Sequence, residues 1–345
     1  MNNLIEKLYE KRNLNDNEFF EILKSTTYDN NLRLLANKKR LEIYDNFVYI
    51  RGLIEISNYC KNNCFYCGIR SSNKNVDRYH LNKTDILKCC HEGYKLGFRT
   101  FVLQGGEDVF YTDEILIDII SEIRNNFMDC AITLSLGERT YESYKKLYQA
   151  GANRYLLRHE TANSLHYNQL HPKNMKLSNR QEALFNLKKI GFQVGSGMMV
   201  GSPYQRLEYI VEDLRFLQKL QPDMIGIGPY LTHKDTPFKN FENGDMNLTL
   251  KLISILRLMF PYSLIPSTTA LGTIHPKGRE LGLQAGGNVV MPNLSPSNVR
   301  SKYELYNNKV YSGSEAAESI AKLKKVVHDA GYEIIVARGD VKKSR

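Results

Sequence analysis

The chain has 345 residues, with 47 Lys+Arg against 37 Asp+Glu, six cysteines and no tryptophan. At 42% hydrophobic and 24% charged residues it has the make-up of a folded protein, which excludes wholesale disorder. No apolar run reaches the roughly 18 residues of a membrane helix, and the N-terminal MNNLIEKLYEKRN lacks the apolar centre of a signal peptide, so a soluble, cytoplasmic protein is expected. The net charge of +10 is scattered among acids rather than gathered in a basic stripe with aromatics, which argues against a nucleic-acid partner.

Residues 1 to about 45 carry Leu4, Leu8, Phe19, Leu23, Leu32 and Leu35 in polar surroundings and predict a helical lead-in. Short apolar or alternating runs then predict strands at 48–57, 100–104, 131–136, 154–159, 193–200, 224–229, 264–269 and 288–292. Helical patterns separate them. Thr84-Asp85 opens one ahead of Ile86, Leu87, Cys90 and Tyr94, and Thr112-Asp113 opens another ahead of Leu116, Ile119, Ile120 and Ile123. A third, from Thr140 to Ala150, closes at Gly151, and more are expected at 178–190, 206–220, 247–260 and 315–330. Gly278 offers no side-chain cap ahead of Leu281, so the helix before the last strand should be short. Eight strands alternating with about eight helices predict an α/β protein, a (β/α)8 TIM-type barrel over 46–345 that includes a C-terminal extension. A doubly wound open sheet is the competing architecture.

Three of the six cysteines fall in Cys60-Lys-Asn-Asn-Cys64-Phe-Tyr66-Cys67, directly after the first strand. Thiolates at this spacing can wrap one compact metal centre. Iron–sulfur clusters are usually held by four thiolates, so three would leave an iron with an open position. A structural zinc site completed by a distant ligand such as Cys130 competes, but no second ligand pair stands in the sequence. A secreted disulfide framework belongs to much smaller chains. Cys89 and Cys90 point about 100° apart on a helix and read as packing residues.

Barrel enzymes build their sites at the C-terminal strand ends, which here are small, polar or charged almost throughout. Strand two ends Gln104-Gly105-Gly106-Glu107, strand three carries Thr133 and Ser135 and ends at Glu138, and strand four reads Arg154 to Thr161. Arg154, Arg158 and Glu160 share strand parity and are expected on one face, at the barrel mouth. Arg180, opening the next helix, can pair with a carboxylate. Strand seven ends in Ser267, Thr268 and Thr269, and Tyr303 and Tyr306 follow strand eight.

The Cys-x3-Cys-x2-Cys spacing, with Tyr66 before the last cysteine, resembles the radical S-adenosylmethionine (SAM) superfamily. That resemblance implies that Cys60, Cys64 and Cys67 hold a 4Fe–4S cluster whose open iron takes SAM and whose electron cleaves it to a 5′-deoxyadenosyl radical. Gly105-Gly106-Glu107 then looks like the Gly-Gly-Glu motif that holds the SAM amino group. Tyr66, Ser135, Arg158, Glu160 and Arg180 join it as SAM-binding positions. More narrowly, the stretches 60–70, 133–138, 266–272, 288–293 and 299–306, and Arg158-His159-Glu160-Thr161-Ala162, resemble the HydE family of FeFe-hydrogenase maturases, over about residues 45–340.

This narrower resemblance implies a substrate that is an organometallic iron species carrying cysteine, CO and cyanide, attacked at sulfur during assembly of the hydrogenase active-site cluster. It places Gln104, Thr133, Arg154, Thr268, Thr269, Tyr303 and Tyr306 around the substrate or anion pocket, with Arg154 as the matching cation. An electron donor such as ferredoxin or flavodoxin and the other hydrogenase maturases are the implied partners. Two departures stand out. Some relatives carry a second cysteine motif near 310–325, where this chain has Tyr311-Ser312-Gly313 and no cysteine, so one cluster is expected. Some also have a hydroxyl residue where Gly105 stands. The alternatives are a methylornithine synthase or biotin synthase-like enzyme, and a non-catalytic iron–sulfur or SAM-binding sensor.

Overall fold

The computed structural model describes residues 3–313 and 316–342. The strands, in chain order, are β1 (Phe47–Ile50), β2 (Gly52–Ser57), β3 (Thr100–Gly105), β4 (Ala131–Ser135), β5 (Arg154–Leu156), β6 (Gln193–Ser196), β7 (Met199–Val200), β8 (Met224–Ile225), β9 (Gly228–Pro229), β10 (Val289–Val290) and β11 (Glu333–Ile335). Six of them form one parallel sheet in the order β2-β3-β4-β5-β6-β8. Single bridges close it. Met224 pairs with Leu264, Pro266 with Val289, β10 with β1, and Asn293 with Leu53. Closure leaves the sheet no free edge, and the result is the TIM-like barrel expected from the apolar runs rather than an open doubly wound sheet.

The helices are α1 (Asn3–Lys11), α2 (Asp16–Lys24), α3 (Asp29–Tyr44), α4 (Lys83–Lys95), α5 (Asp113–Asn126), α6 (Tyr141–Gln149), α7 (Ser164–Leu170), α8 (Leu177–Ile190), α9 (Leu207–Leu220), α10 (Met246–Met259), α11 (Thr269–Ile274), α12 (Gly278–Gln284), α13 (Ser297–Arg300) and α14 (Ile320–Asp329). Thr112 and Thr140 cap α5 and α6 through their hydroxyls as expected, whereas α4 starts earlier, with Asn82 accepting the Asp85 N–H. Leu116, Ile119, Ile120 and Ile123 bury the inner face of α5. The lead-in α1–α3 packs over α10, which is therefore apolar almost all round. Lys251 of α10 fixes that contact. Its ammonium donates to the carbonyls of Ile22, Leu23 and Ser25, which the end of α2 leaves open, and pairs with Asp29 at 3.0 Å. No helix of the described residues is long and apolar enough to cross a membrane.

The expected strand 154–159 is cut short, and the consequence is a correction. β5 ends at Leu156, and its first residue, Arg154, lies at the N-terminal end of the barrel rather than at the mouth. β11 adds to β1, and the chain after it crosses the barrel floor. There the Arg154 guanidinium donates to the carbonyls of Arg338 (2.9 Å) and Gly339 (3.0 Å), to Asp340 Oδ1 (2.7 Å), to Thr100 Oγ1 (3.0 Å) and to Gln193 Oε1 (3.1 Å). Arg154 is thus a fully buried plug of the floor and does not line a substrate pocket. Parity gave its face correctly and said nothing about its height.

His166 of α7 is buried with its Nε2 3.0 Å from the Pro203 carbonyl, so Nε2 carries the proton, while Nδ1 has no partner. Burial pushes its pKa down to about 4, because protonation would bury a second, unpartnered N–H. Between about 6.5 and 4 the unfolded chain therefore binds a proton that the folded chain refuses, and stability falls as pH falls through that window. In urea denaturation at pH 7.5 and 5.5, this group should cost about 1.4 kcal/mol at the lower pH. The loss on acidification should be smaller by that amount in His166→Gln, and an unchanged loss would refute it.

Candidate active site

The cysteine loop leaves β2 at the barrel mouth and is held by backbone contacts and by buried side chains. Lys61 N–H donates to Glu107 O, Phe65 N–H to Leu170 O, and Gly68 N–H to Leu305 O. Arg78 reaches underneath and takes the carbonyls of Asn58, Ile69, Arg70 and Asn73. Gly106 packs so closely that a Cβ there would stand 2.1 Å from Tyr59 O and 2.7 Å from Cys60 Cβ, so a side chain would displace the first cysteine. Tyr66 is fixed by His171. The His171 Nδ1 faces the Tyr167 carbonyl at 3.0 Å and must donate, so Nε2 accepts from the Tyr66 hydroxyl at 3.1 Å. Burial keeps this imidazole neutral, its pKa lowered to about 3.

All three cysteines are free thiols. Burial pushes Cys64 and Cys67 upward, Cys67 to about 12, and the neighbouring sulfurs push in the same direction. Thiols raised in this way become thiolates, the metal-binding form, only beside a positive centre. Among the described residues no three Cys, His, Asp or Glu groups converge on a site for a single metal ion. A cluster makes a different demand, because each thiolate binds its own iron.

The loop opens onto a cavity of about 350 Å³ within the barrel mouth. Of the residues expected from the sequence, Tyr66, Cys67, Gln104, Gly105, Ser135, Arg158, Glu160, Arg180, Thr268, Thr269 and Tyr306 line it. Glu160 has a left-handed φ of 66°, which costs an L residue roughly 1–2 kcal/mol. One carboxylate oxygen pairs with Arg158 Nε at 3.0 Å, while Oε2 is buried with no partner. Arg180 donates to Glu138 Oε1 at 2.5 Å and to the Arg158 carbonyl at 2.9 Å, so its carboxylate contact is through Nε alone. Thr268 Oγ1, also on the cavity wall, is a second buried atom without a partner.

Other expected residues lie elsewhere. Glu107 is turned away from the cavity wall, one oxygen accepting the Glu138 N–H at 3.0 Å and the other 3.3 Å from Lys61 Nζ. Thr133 is no part of the wall either. It pairs in register with Arg154, one inward-facing layer below Ser135, and its hydroxyl is buried without a partner. Tyr303 stands behind the wall, its hydroxyl 3.5 Å from Gln104 Nε2.

The sequence reading missed a buried ion pair in the cavity wall. Glu55 of β2, fully buried, takes Lys309 Nζ on one oxygen and Asn293 Nδ2 (2.8 Å) on the other. Lys309 also donates to the Tyr303 carbonyl at 2.9 Å and sits 4.7 Å from the centre of the Tyr303 ring. With Arg158 and Arg180 it makes three cations on the wall, matched by Glu55 and Glu160 on the wall and by Glu138 behind Arg180. The only signal for Glu55 in the sequence was a lone acid in an otherwise apolar strand.

The residues present fit the cofactors that the resemblance implies. Cys60, Cys64 and Cys67 offer three unpaired thiols on one loop, and the partnerless Glu160 Oε2 and Thr268 Oγ1 lie on the wall of the cavity that Cys67 also lines. The sequence profile of the radical SAM superfamily matches residues 54–217. The chain is 44% identical over 305 residues to the [FeFe] hydrogenase maturase subunit HydE of Thermotoga maritima, covering 88% of this chain and 84% of that one. It is 30% identical to 3-methylornithine synthase of Methanosarcina barkeri over 84% of this chain and 83% of that one. The crystal structure of methylornithine synthase (PylB) superposes with a TM-score of 0.84 at 28% identity, covering 96% of this chain and 97% of that one.

Removing Lys309 leaves the Glu55 charge buried and unpaired. Lys309→Met should cost about 3 kcal/mol in urea denaturation. Adding Glu55→Gln should restore most of that stability; a double variant as unstable as the single one would show that the two groups are not coupled.

Proposed function

This chain is a radical SAM enzyme that belongs to the HydE family of [FeFe]-hydrogenase maturases, and on that premise we propose that it acts on a cysteine-ligated iron–CO–cyanide complex during assembly of the hydrogenase active-site cluster. The observation that carries the reading is one cavity lined both by Tyr66 and Cys67 of the cysteine loop and by three cations, Lys309, Arg158 and Arg180, each held in place by a carboxylate. An anionic iron–cyanide species suits a low-dielectric space in which fixed N–H donors of three cations line the wall. The cation expected for this task, Arg154, is replaced by Lys309 together with Arg158 and Arg180.

In this reading Cys60, Cys64 and Cys67 hold one 4Fe–4S cluster, and Tyr66, Gly105, Ser135, Arg158, Glu160 and Arg180 hold SAM. When bound, these cofactors supply a 5′-deoxyadenosyl radical. The chain's own residues bind, orient and seal. His171 fixes the Tyr66 ring beside the cysteines, Glu160 Oε2 accepts a donor from the cofactor, and Thr268 Oγ1 and Lys309 face the substrate. Gly106 and Glu107 act one step back, by setting the approach of the cysteine loop and tying it to Glu138 and Lys61. An electron donor such as ferredoxin or flavodoxin and the other maturases are the partners this role requires.

The methylornithine synthase reading has support in the fold and in the Glu55 carboxylate, which suits an ammonium. The higher identity to HydE over most of the chain favours the maturase. Reconstituted protein given SAM and a reductant should form 5′-deoxyadenosine, and Cys64→Ser should abolish both the 4Fe–4S spectrum and that product. Undiminished cleavage by Cys64→Ser would remove Cys64 from the ligand set, and methylornithine from added lysine would overturn the maturase assignment.

A further inference from the structure

Glu160 keeps a backbone conformation that side-chain-bearing residues resist, and the turn carrying it is held from outside the barrel. Ser196 Oγ donates to the Leu157 carbonyl at 3.2 Å and stands 2.9 Å from His159 Nδ1. His159 Nε2 stands 3.2 Å from Asp213 Oδ1 on α9, and that same oxygen accepts the Ala162 N–H. Ser196, His159 and Asp213 are each fully buried and none lines the cavity. The Asp213 carboxylate accepts the His159 Nε2–H, so Nδ1 is an acceptor, and the Ser196 hydroxyl lies between that nitrogen and the Leu157 carbonyl. Phe216 lies against the imidazole with ring centroids 4.8 Å apart.

A Ser-His-Asp sequence of contacts invites a nucleophile reading, which the geometry rejects. Ser196 Oγ has no exposure and is spent on a backbone carbonyl. What the chain of contacts does instead is bracket a turn. One anchor lies three residues before Glu160, at Leu157, and the other two residues after it, at Ala162. The Glu160 N–H itself donates to Gly197 O at 3.1 Å, from the residue next to Ser196.

We propose that Ser196, His159 and Asp213 are positioning residues for Glu160, fixing the 157–162 turn so that the partnerless Oε2 is presented at the cavity wall to a hydroxyl or ammonium donor of SAM. This rests on the reading that Glu160 helps to hold SAM. The anchors act on the backbone, so the carboxylate needs no help from ligands to reach its place.

The test is a thermodynamic cycle on SAM affinity, measured by equilibrium dialysis against anaerobically cluster-loaded protein, with Asp213→Ala, Glu160→Ala and the double variant. Asp213→Ala should weaken SAM binding roughly tenfold or more, as loss of an outer-sphere support does. Asp213→Asn, which keeps an oxygen for the Ala162 N–H, should recover most of that loss. On a Glu160→Ala background Asp213→Ala should add less than about twofold, because the group it positions is gone. An equal loss on both backgrounds, or an unchanged affinity in Asp213→Ala, overturns the proposal. Unchanged affinity in Glu160→Ala is a different result and overturns the reading of Glu160 beneath it. Should Asp213→Ala fail to fold, Ser196→Ala removes the other anchor at the cost of one hydroxyl and is judged by the same cycle.

Discussion

Most charges buried inside this barrel meet an opposite charge or a set of fixed polar groups, and these pairings recur from floor to mouth. Stripping water from a guanidinium or carboxylate is costly unless such partners replace it, and Arg51, buried with two nitrogens unpartnered, is the exception. At the floor Arg154 is matched by Asp340 and four further acceptors, in the wall Glu55 by Lys309, and at the mouth Arg158 by Glu160 and Arg180 by Glu138. Outside the sheet, between β5, β6 and α9, the buried Asp213 carboxylate is met by the His159 ring and the Ala162 N–H. Against that background the atoms left without partners carry information. Glu160 Oε2 and Thr268 Oγ1 share one cavity with Cys67 and Tyr66, which is where a bound ligand would complete the hydrogen bonding.

What the sequence made legible was local. The three cysteines, Gly105-Gly106-Glu107, Arg158 to Glu160 and Thr268-Thr269 are each short strings at strand ends, and a barrel gathers its strand ends whatever the loops between them do. Period and cap chemistry placed most of the expected helices to within a residue or two; α4 is capped by Asn82 rather than Thr84, and the helix expected from 315 begins only at Ile320. Two kinds of fact escaped. Height along a strand is invisible to parity, so Arg154 and Thr133 were assigned to the mouth although both sit in lower layers. Long-range pairing is invisible to spacing, so Glu55 and Lys309, 254 positions apart, gave no joint signal.

The floor contact also explains why the segment after β11 belongs to the working barrel. Arg154 could not remain buried there without the carbonyls of Arg338 and Gly339 and the Asp340 carboxylate. Those groups come from the far end of the chain, and in meeting the arginine's demand they close the N-terminal opening. The opposite opening is narrowed by Leu305, Tyr306 and Lys309, from a segment that Gly68 N–H ties to the cysteine loop and Lys309 ties to β2. Both closures are therefore built on single buried cations drawn from distant parts of the chain. A reactive carbon radical survives only where water and stray hydrogen donors are excluded. In this barrel the closure at each end is built on an ion pair, Arg154 with Asp340 at the floor and Lys309 with Glu55 at the mouth, and only Lys309 also lines the cavity.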